Sequence, residues 1–106
     1  MFFDWLKAPD INRGVQQFLN TPNAVLLDVR EENEYAGGRI PGSVNLPLSR
    51  IGEAAKVVPD PSAPLFVYCL SGGRSSQAAA YLRRNRYEDV TNIGGISAYR
   101  GEVKKP

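Results

Sequence analysis

Two short stretches, Ala24-Val25-Leu26-Leu27-Asp28-Val29 and Leu65-Phe66-Val67-Tyr68, are apolar at almost every position rather than at alternate ones. Runs of this kind are too short to be helices of their own. They suit strands covered on both faces, as in a parallel sheet with helices above and below it. Val44-Asn45-Leu46 and Asp89-Val90-Thr91-Asn92 read as shorter strands. Between them, Ile11, Val15, Phe18 and Leu19 recur at helical spacing behind a capping Asp10, and Glu31 to Ala36, Ser49 to Val57, Ser75 to Leu82 and Ser97 to Tyr99 read as further helical segments. Thr21-Pro22-Asn23, Ile40-Pro41-Gly42-Ser43 and the prolines at 59, 61 and 64 supply the breaks. Strands alternating with helices predict a three-layer α/β domain. Its central, mostly parallel sheet is expected to have about five short strands, with helices on both faces.

A chain of 106 residues holds one domain with its own core. Its expected limits are residues 10–103, preceded by an apolar extension over 1–9 and followed by a solvated tail over 104–106. Phe2, Phe3, Trp5 and Leu6 in the extension are expected to pack on the domain surface. Thirteen Lys and Arg against 11 Asp and Glu leave no large basic field for nucleic acid. Nothing in the sequence has the length of a membrane span or the form of a secretory signal, so the expected location is cytoplasmic. The expected partners are small molecules or other proteins. Arg83-Arg84-Asn85-Arg86 closes the fourth helical segment, where cations complement the negative end of the helix dipole.

Cys69 is the only cysteine, and histidine is absent. One cysteine excludes an intramolecular disulfide and a CxxC redox pair. Without histidine neither a Cys–His pair nor a Ser–His–Asp triad is available, and a zinc site or other cofactor is not expected. Activation of Cys69 would have to come from backbone dipoles and cationic side chains. The local sequence offers both. Cys69 ends an apolar strand and is followed by Leu70-Ser71-Gly72-Gly73-Arg74 and then a helical run, which sets the sulfur against a glycine-rich loop and a helix N-terminus. Inward backbone amides, the helix dipole and the Arg74 charge all favour the thiolate. An inert buried cysteine is the competing reading, and it requires neither the paired glycines nor the arginine. In open parallel sheets ligands sit beyond the carboxyl ends of the strands, a rim that Cys69 shares with Asp28. Group transfer at this place requires the amides to turn inward and the sulfur to be reachable from solvent.

Three ordered blocks resemble the single-domain rhodaneses, sulfurtransferases that carry sulfur as a cysteine persulfide. The first is Leu27-Asp28-Val29-Arg30, with Glu34-Tyr35 and Gly38-Arg39-Ile40-Pro41-Gly42-Ser43-Val44-Asn45-Leu46-Pro47. The second is Tyr68-Cys69-Leu70-Ser71-Gly72-Gly73-Arg74-Ser75, similar to the family's active-site loop, and the third is Val90 to Tyr99. The resemblance implies that Cys69 takes a sulfane sulfur from a donor such as thiosulfate or another persulfide and yields it to a thiophilic acceptor, a small thiol or a protein. It implies that Leu70, Ser71, Gly72, Gly73 and Arg74 bind the persulfide, their N–H groups ringing the outer sulfur while Arg74 stabilises its charge. Ser75, Asp28 and Arg30 are implied as supporting residues, with a purely structural ion pair as the other reading of Asp28 and Arg30. Related phosphatases of this fold use a Cys-x5-Arg loop, whereas Cys69 and Arg74 here are separated by four residues, a tighter ring that suits a single sulfur atom. The chain departs from the family at Arg39 and Tyr99, where His and Trp are frequent, and Leu70 and Ser71 give the loop no cation. The alternatives are a non-catalytic binding or regulatory module and, less favoured, a phosphatase or arsenate reductase of the same fold.

Overall fold

The computed structural model describes residues 9–106. The expected packing of Phe2, Phe3, Trp5 and Leu6 lies outside the described residues. Helix α1 (Ile11–Leu19) is followed by β1 (Val25–Asp28), α2 (Glu32–Gly37) and β2 (Ser43–Asn45). A 3₁₀ segment (Leu48–Glu53) then leads into α3 (Ala54–Val57), β3 (Leu65–Cys69), α4 (Gly73–Arg84), β4 (Val90–Gly95) and a closing 3₁₀ turn (Ile96–Ala98). Asp10 caps α1 as expected, its carboxylate accepting from the N–H groups of Asn12 and Arg13.

The strands form one parallel sheet in the order β2-β1-β3-β4. Continuous apolar runs become central strands because each of their faces meets a different core. Leu26, Phe66 and Tyr68 point to one side, against Ile11 and Val15 of α1 and Ile93. Leu27, Leu65, Val67 and Cys69 point to the other, against Ala78, Ala79 and Leu82 of α4 and the Ile51–Val58 region. Each fully buried Leu or Val contributes about 1.5–3 kcal/mol, so two facing cores hold the sheet from both sides.

Four strands are present among the described residues, not the expected five. The nearest counterpart of a fifth is a single antiparallel bridge between Arg39 and Lys104, whose backbones exchange hydrogen bonds of 3.0 and 2.7 Å. The same bridge ties the backbone at Lys104, the first residue of the expected solvated tail, while residues 104–106 stay exposed. The helix expected over Ser49 to Val57 is two pieces, with Arg50 off helical geometry at φ −116°, ψ 18°. Gly52 within the segment and Pro59 beyond it work against one continuous helix.

One irregularity positions the site. The β3–β4 register shifts between Val67 and Tyr68, so that Val67 faces Asn92 while Tyr68 faces Gly94 and Cys69 faces Gly95. The bulge sets two glycines beside the carboxyl end of β3. A Cβ at Gly95 would collide with the Leu70 carbonyl and Ser71 Cα, so only glycine lets β4 pass beneath the loop.

Candidate active site

Gly72 adopts φ +107°, ψ −13°, a conformation that side chains other than glycine rarely take. The turn it makes starts α4 at Gly73, two residues earlier than the apolar pattern suggested, and brings the first helical turn against the end of β3. The Gly72 N–H donates to Cys69 Sγ at 3.0 Å. Burial pushes the thiol pKa up. The neighbouring Ser75 hydroxyl and the N–H groups of Ser75, Gly72 and Ser71 favour the anion and outweigh that effect, and the net shift is downward. Of the expected ring from Leu70 to Arg74, the N–H groups of Ser71 and Gly72 face the sulfur, and that of Ser75, one residue beyond it, does so as well.

Ser75 is fully buried and central to the arrangement. Its hydroxyl faces Asn92 Oδ1 at 2.7 Å and the carbonyls of Gly72 and Gly94 at 3.1 and 3.4 Å. The single hydroxyl proton serves one acceptor at a time, so donation to a sulfur anion requires it to turn away from Asn92. Asn92 Oδ1 also accepts from the Gly94 N–H at 3.0 Å, which couples the bulge to the loop.

Arg74, expected to stabilise the sulfur's charge, lies within electrostatic reach of Cys69 but makes its hydrogen bonds elsewhere. Its guanidinium forms a two-pronged pair with Glu34 of α2, at 2.7 and 3.0 Å. The Arg74 hydrogen bond is the main cause that holds the Glu34 carboxyl down to about 2. Glu34 also accepts from the Glu31 N–H at 2.9 Å, closing a capping box at the start of α2. A planar fork meeting a carboxylate fixes direction as well as charge, so Glu34 positions the loop through Arg74. Sequence reasoning missed Glu34 and Asn92. Glu34 stood only inside the first resembling block, and nothing local links it to residue 74.

Asp28 and Arg30 form a buried ion pair. Arg30 Nη2 and Nε donate to Asp28 Oδ2 at 2.7 and 3.0 Å, and the Arg30 N–H donates to Asp28 Oδ1 at 2.9 Å. Arg30 Nη2 also donates to the Gly38 carbonyl at 2.7 Å, and Asn45 Nδ2 donates to the carbonyls of Asp28 and Arg30. Desolvation of Arg30 is outweighed by Asp28, and its pKa is raised. The pair therefore locks the exit of β1 to the segment after α2 and to β2. It sits at the sheet's rim, and the structure gives it no contact with the sulfur.

The amides that favour the anion also cover it. Cys69 is only 1 % exposed, so the requirement of an openly reachable sulfur is not met in this conformation. The loop after β3 forms part of the cover. Its outer surface is formed by Leu70, Ser71 and Gly73, all exposed. A recess of about 420 Å³ opens beside the loop, where Ser71, Gly72, Gly94, Gly95 and Ser97 form part of its wall while Cys69 does not. Among the described residues, no cluster of three or more His, Cys, Asp or Glu is placed to hold a metal ion. None of the described helices is long and apolar enough to cross a membrane.

A parallel sheet flanked by helices, with a cysteine at the carboxyl end of a central strand beneath loop amides, defines the class as an α/β domain. Residues 13–102 match the family described as Rhodanese-like domain, and the chain belongs to that family. It is 38% identical over 82 residues to the uncharacterized protein YqhL of Bacillus subtilis, covering 76% of this chain and 64% of that one. It is also 38% identical over 85 residues to a sulfurtransferase of Allochromatium vinosum, covering 79% of this chain and 78% of that one. Among solved structures, a rhodanese with anions from E. coli superposes with a TM-score of 0.72 at 31% identity, over 78% of this chain and 99% of that one.

Proposed function

We propose that this protein is a sulfurtransferase that carries a sulfane sulfur on Cys69. Family membership and the A. vinosum relative support sulfur transfer in general. The observation that carries the cysteine mechanism is the Gly72 amide 3.0 Å from Sγ, within a set of donors that lowers the thiol pKa despite burial. The thiolate attacks the outer sulfur of the donor, and the donor's remainder leaves with the electron pair of the broken S–S bond. The resulting persulfide anion is held by preorganised amides that need no reorientation. A thiophilic acceptor, a small thiol or a protein, then attacks the outer sulfur and releases Cys69 as thiolate. Residues 10–103 form the catalytic unit in this reading.

Incubation with a sulfane donor is expected to add the mass of one sulfur atom to Cys69. Cyanide is expected to remove it as thiocyanate, and Cys69→Ser to abolish both. An unchanged mass with thiosulfate and with organic persulfides would overturn the proposal. The burial of Cys69 is the observation that favours a non-catalytic binding module. That alternative requires the sulfur to stay unreactive towards even small electrophiles.

A further inference from the structure

The cations nearest the loop already have carboxylate partners. Arg74 is held by Glu34 through two hydrogen bonds, and Arg30 by Asp28 through three. With Cys69 as thiolate, these five side chains carry two positive and three negative charges. Glu31 also lies within electrostatic reach of Arg74 and makes the region more negative. Arg39 stands over the Tyr35 ring at 5.0 Å and donates to the Tyr35 carbonyl at 3.5 Å. The outward side chain of the loop is Leu70, 45% exposed and apolar. Among the described residues, those lining the recess beside the loop, from Pro9 and Ile11 to Ser97 and Ala98, carry no charge.

Thiosulfate has no uncharged form near neutral pH, and its leaving group, sulfite, is also anionic. It would meet a negative thiolate, and the one cation of the loop, Arg74, although within electrostatic reach of Cys69, already shares its charge with Glu34. An organic persulfide carries at most one negative charge at its sulfur, as R–S–S⁻, and is in equilibrium near neutral pH with the R–S–SH form, which is neutral at the reacting sulfur; its carbon part suits an uncharged recess. We propose that the sulfur donor is an organic persulfide rather than thiosulfate, a specificity that rests on the sulfurtransferase reading above. The Cys69 thiolate bonds to the outer sulfur of R–S–SH, the S–S bond breaks, and RS⁻ leaves with the bonding pair. The proton of the transferred S–H passes to solvent, leaving the persulfide anion beneath the Gly72 amide. No external oxidant or reductant is required.

The test compares the second-order rate of Cys69 loading by cysteine persulfide and by thiosulfate, read by intact-protein mass, at low and high sodium chloride. Cysteine persulfide is expected to load at least about tenfold faster. Thiosulfate loading is expected to accelerate with salt, because screening weakens a like-charge encounter. Leu70→Lys changes an exposed side chain and is expected to raise thiosulfate loading about tenfold and to reverse its salt dependence. Far-ultraviolet circular dichroism and an unchanged thermal midpoint serve as the control that the variant is folded. Faster loading by thiosulfate, or thiosulfate loading that slows with salt in the unmodified protein, overturns the donor assignment and leaves sulfur transfer intact. Loading by neither donor overturns sulfur transfer itself.

Discussion

Arg74 and Glu34 meet through hydrogen bonds of 2.7 and 3.0 Å, joining the first turn of α4 to α2 across 40 residues of chain. The arginine that the loop sequence suggests as a partner for the sulfur also anchors the loop to α2. Beside Cys69, the amides of Ser71, Gly72 and Ser75 and the Ser75 hydroxyl favour the thiolate, and Arg74 acts on it only at electrostatic range. Backbone donors suit this task because the fold fixes their direction before any anion arrives.

Glu34→Gln keeps the size of the side chain and removes its charge. The expected loss is about 1–3 kcal/mol, as for a hydrogen bond to a charged group. The pH dependence identifies the cause. A carboxyl lowered from 4.5 to about 2 gives stability that is fully present above 4.5 and is lost as pH falls through about 2. Thermal unfolding between pH 5 and 2 is therefore expected to show a steeper decline in the unmodified protein than in Glu34→Gln. Equal slopes would mean that the Arg74–Glu34 pair does not contribute in solution.

Cys69 alkylation by iodoacetamide, followed against pH, is expected to give a midpoint below that of an ordinary thiol, roughly 8.5. Ser75→Ala removes a hydroxyl donor and is expected to move the midpoint upward. Because Cys69 is 1 % exposed, a bulky maleimide is expected to react much more slowly than iodoacetamide. A midpoint at or above the ordinary value would contradict amides that favour the thiolate.

Asp28→Asn leaves the Arg30 charge buried without its carboxylate. Breaking such a pair is expected to cost about 3–5 kcal/mol. Replacing both partners with apolar residues is expected to recover much of that loss, since the uncompensated charge is then gone. Urea denaturation monitored by far-ultraviolet circular dichroism measures both variants. A loss under about 1 kcal/mol in Asp28→Asn would show that Arg30 reaches solvent and is not locked to the Gly38 carbonyl.

The architecture was legible where chemistry and sequence neighbourhood coincide. Leu26-Leu27 and Leu65 to Tyr68 announce strands buried on both faces, and the structure fills each face with a separate core. Cys69 was legible because an apolar run, two glycines and a helical run follow one another along the chain. The fourth helix started earlier than its apolar pattern indicated, because Gly72 turns the backbone at φ +107° and lets the helix begin at Gly73, ahead of any apolar residue.

The sequence by itself determined the α/β class, the parallel sheet and the cysteine at the end of β3, since these depend on residues close together in the chain. Only the tertiary structure decided that Arg74 turns to Glu34, that Ser75 shares its hydroxyl with Asn92, and that the loop covers the sulfur. These outcomes depend on which groups meet after the strands take their order and β4 slips by one residue against β3. An arginine and its carboxylate 40 residues apart have no shared local pattern, so only the assembled sheet selects the partner.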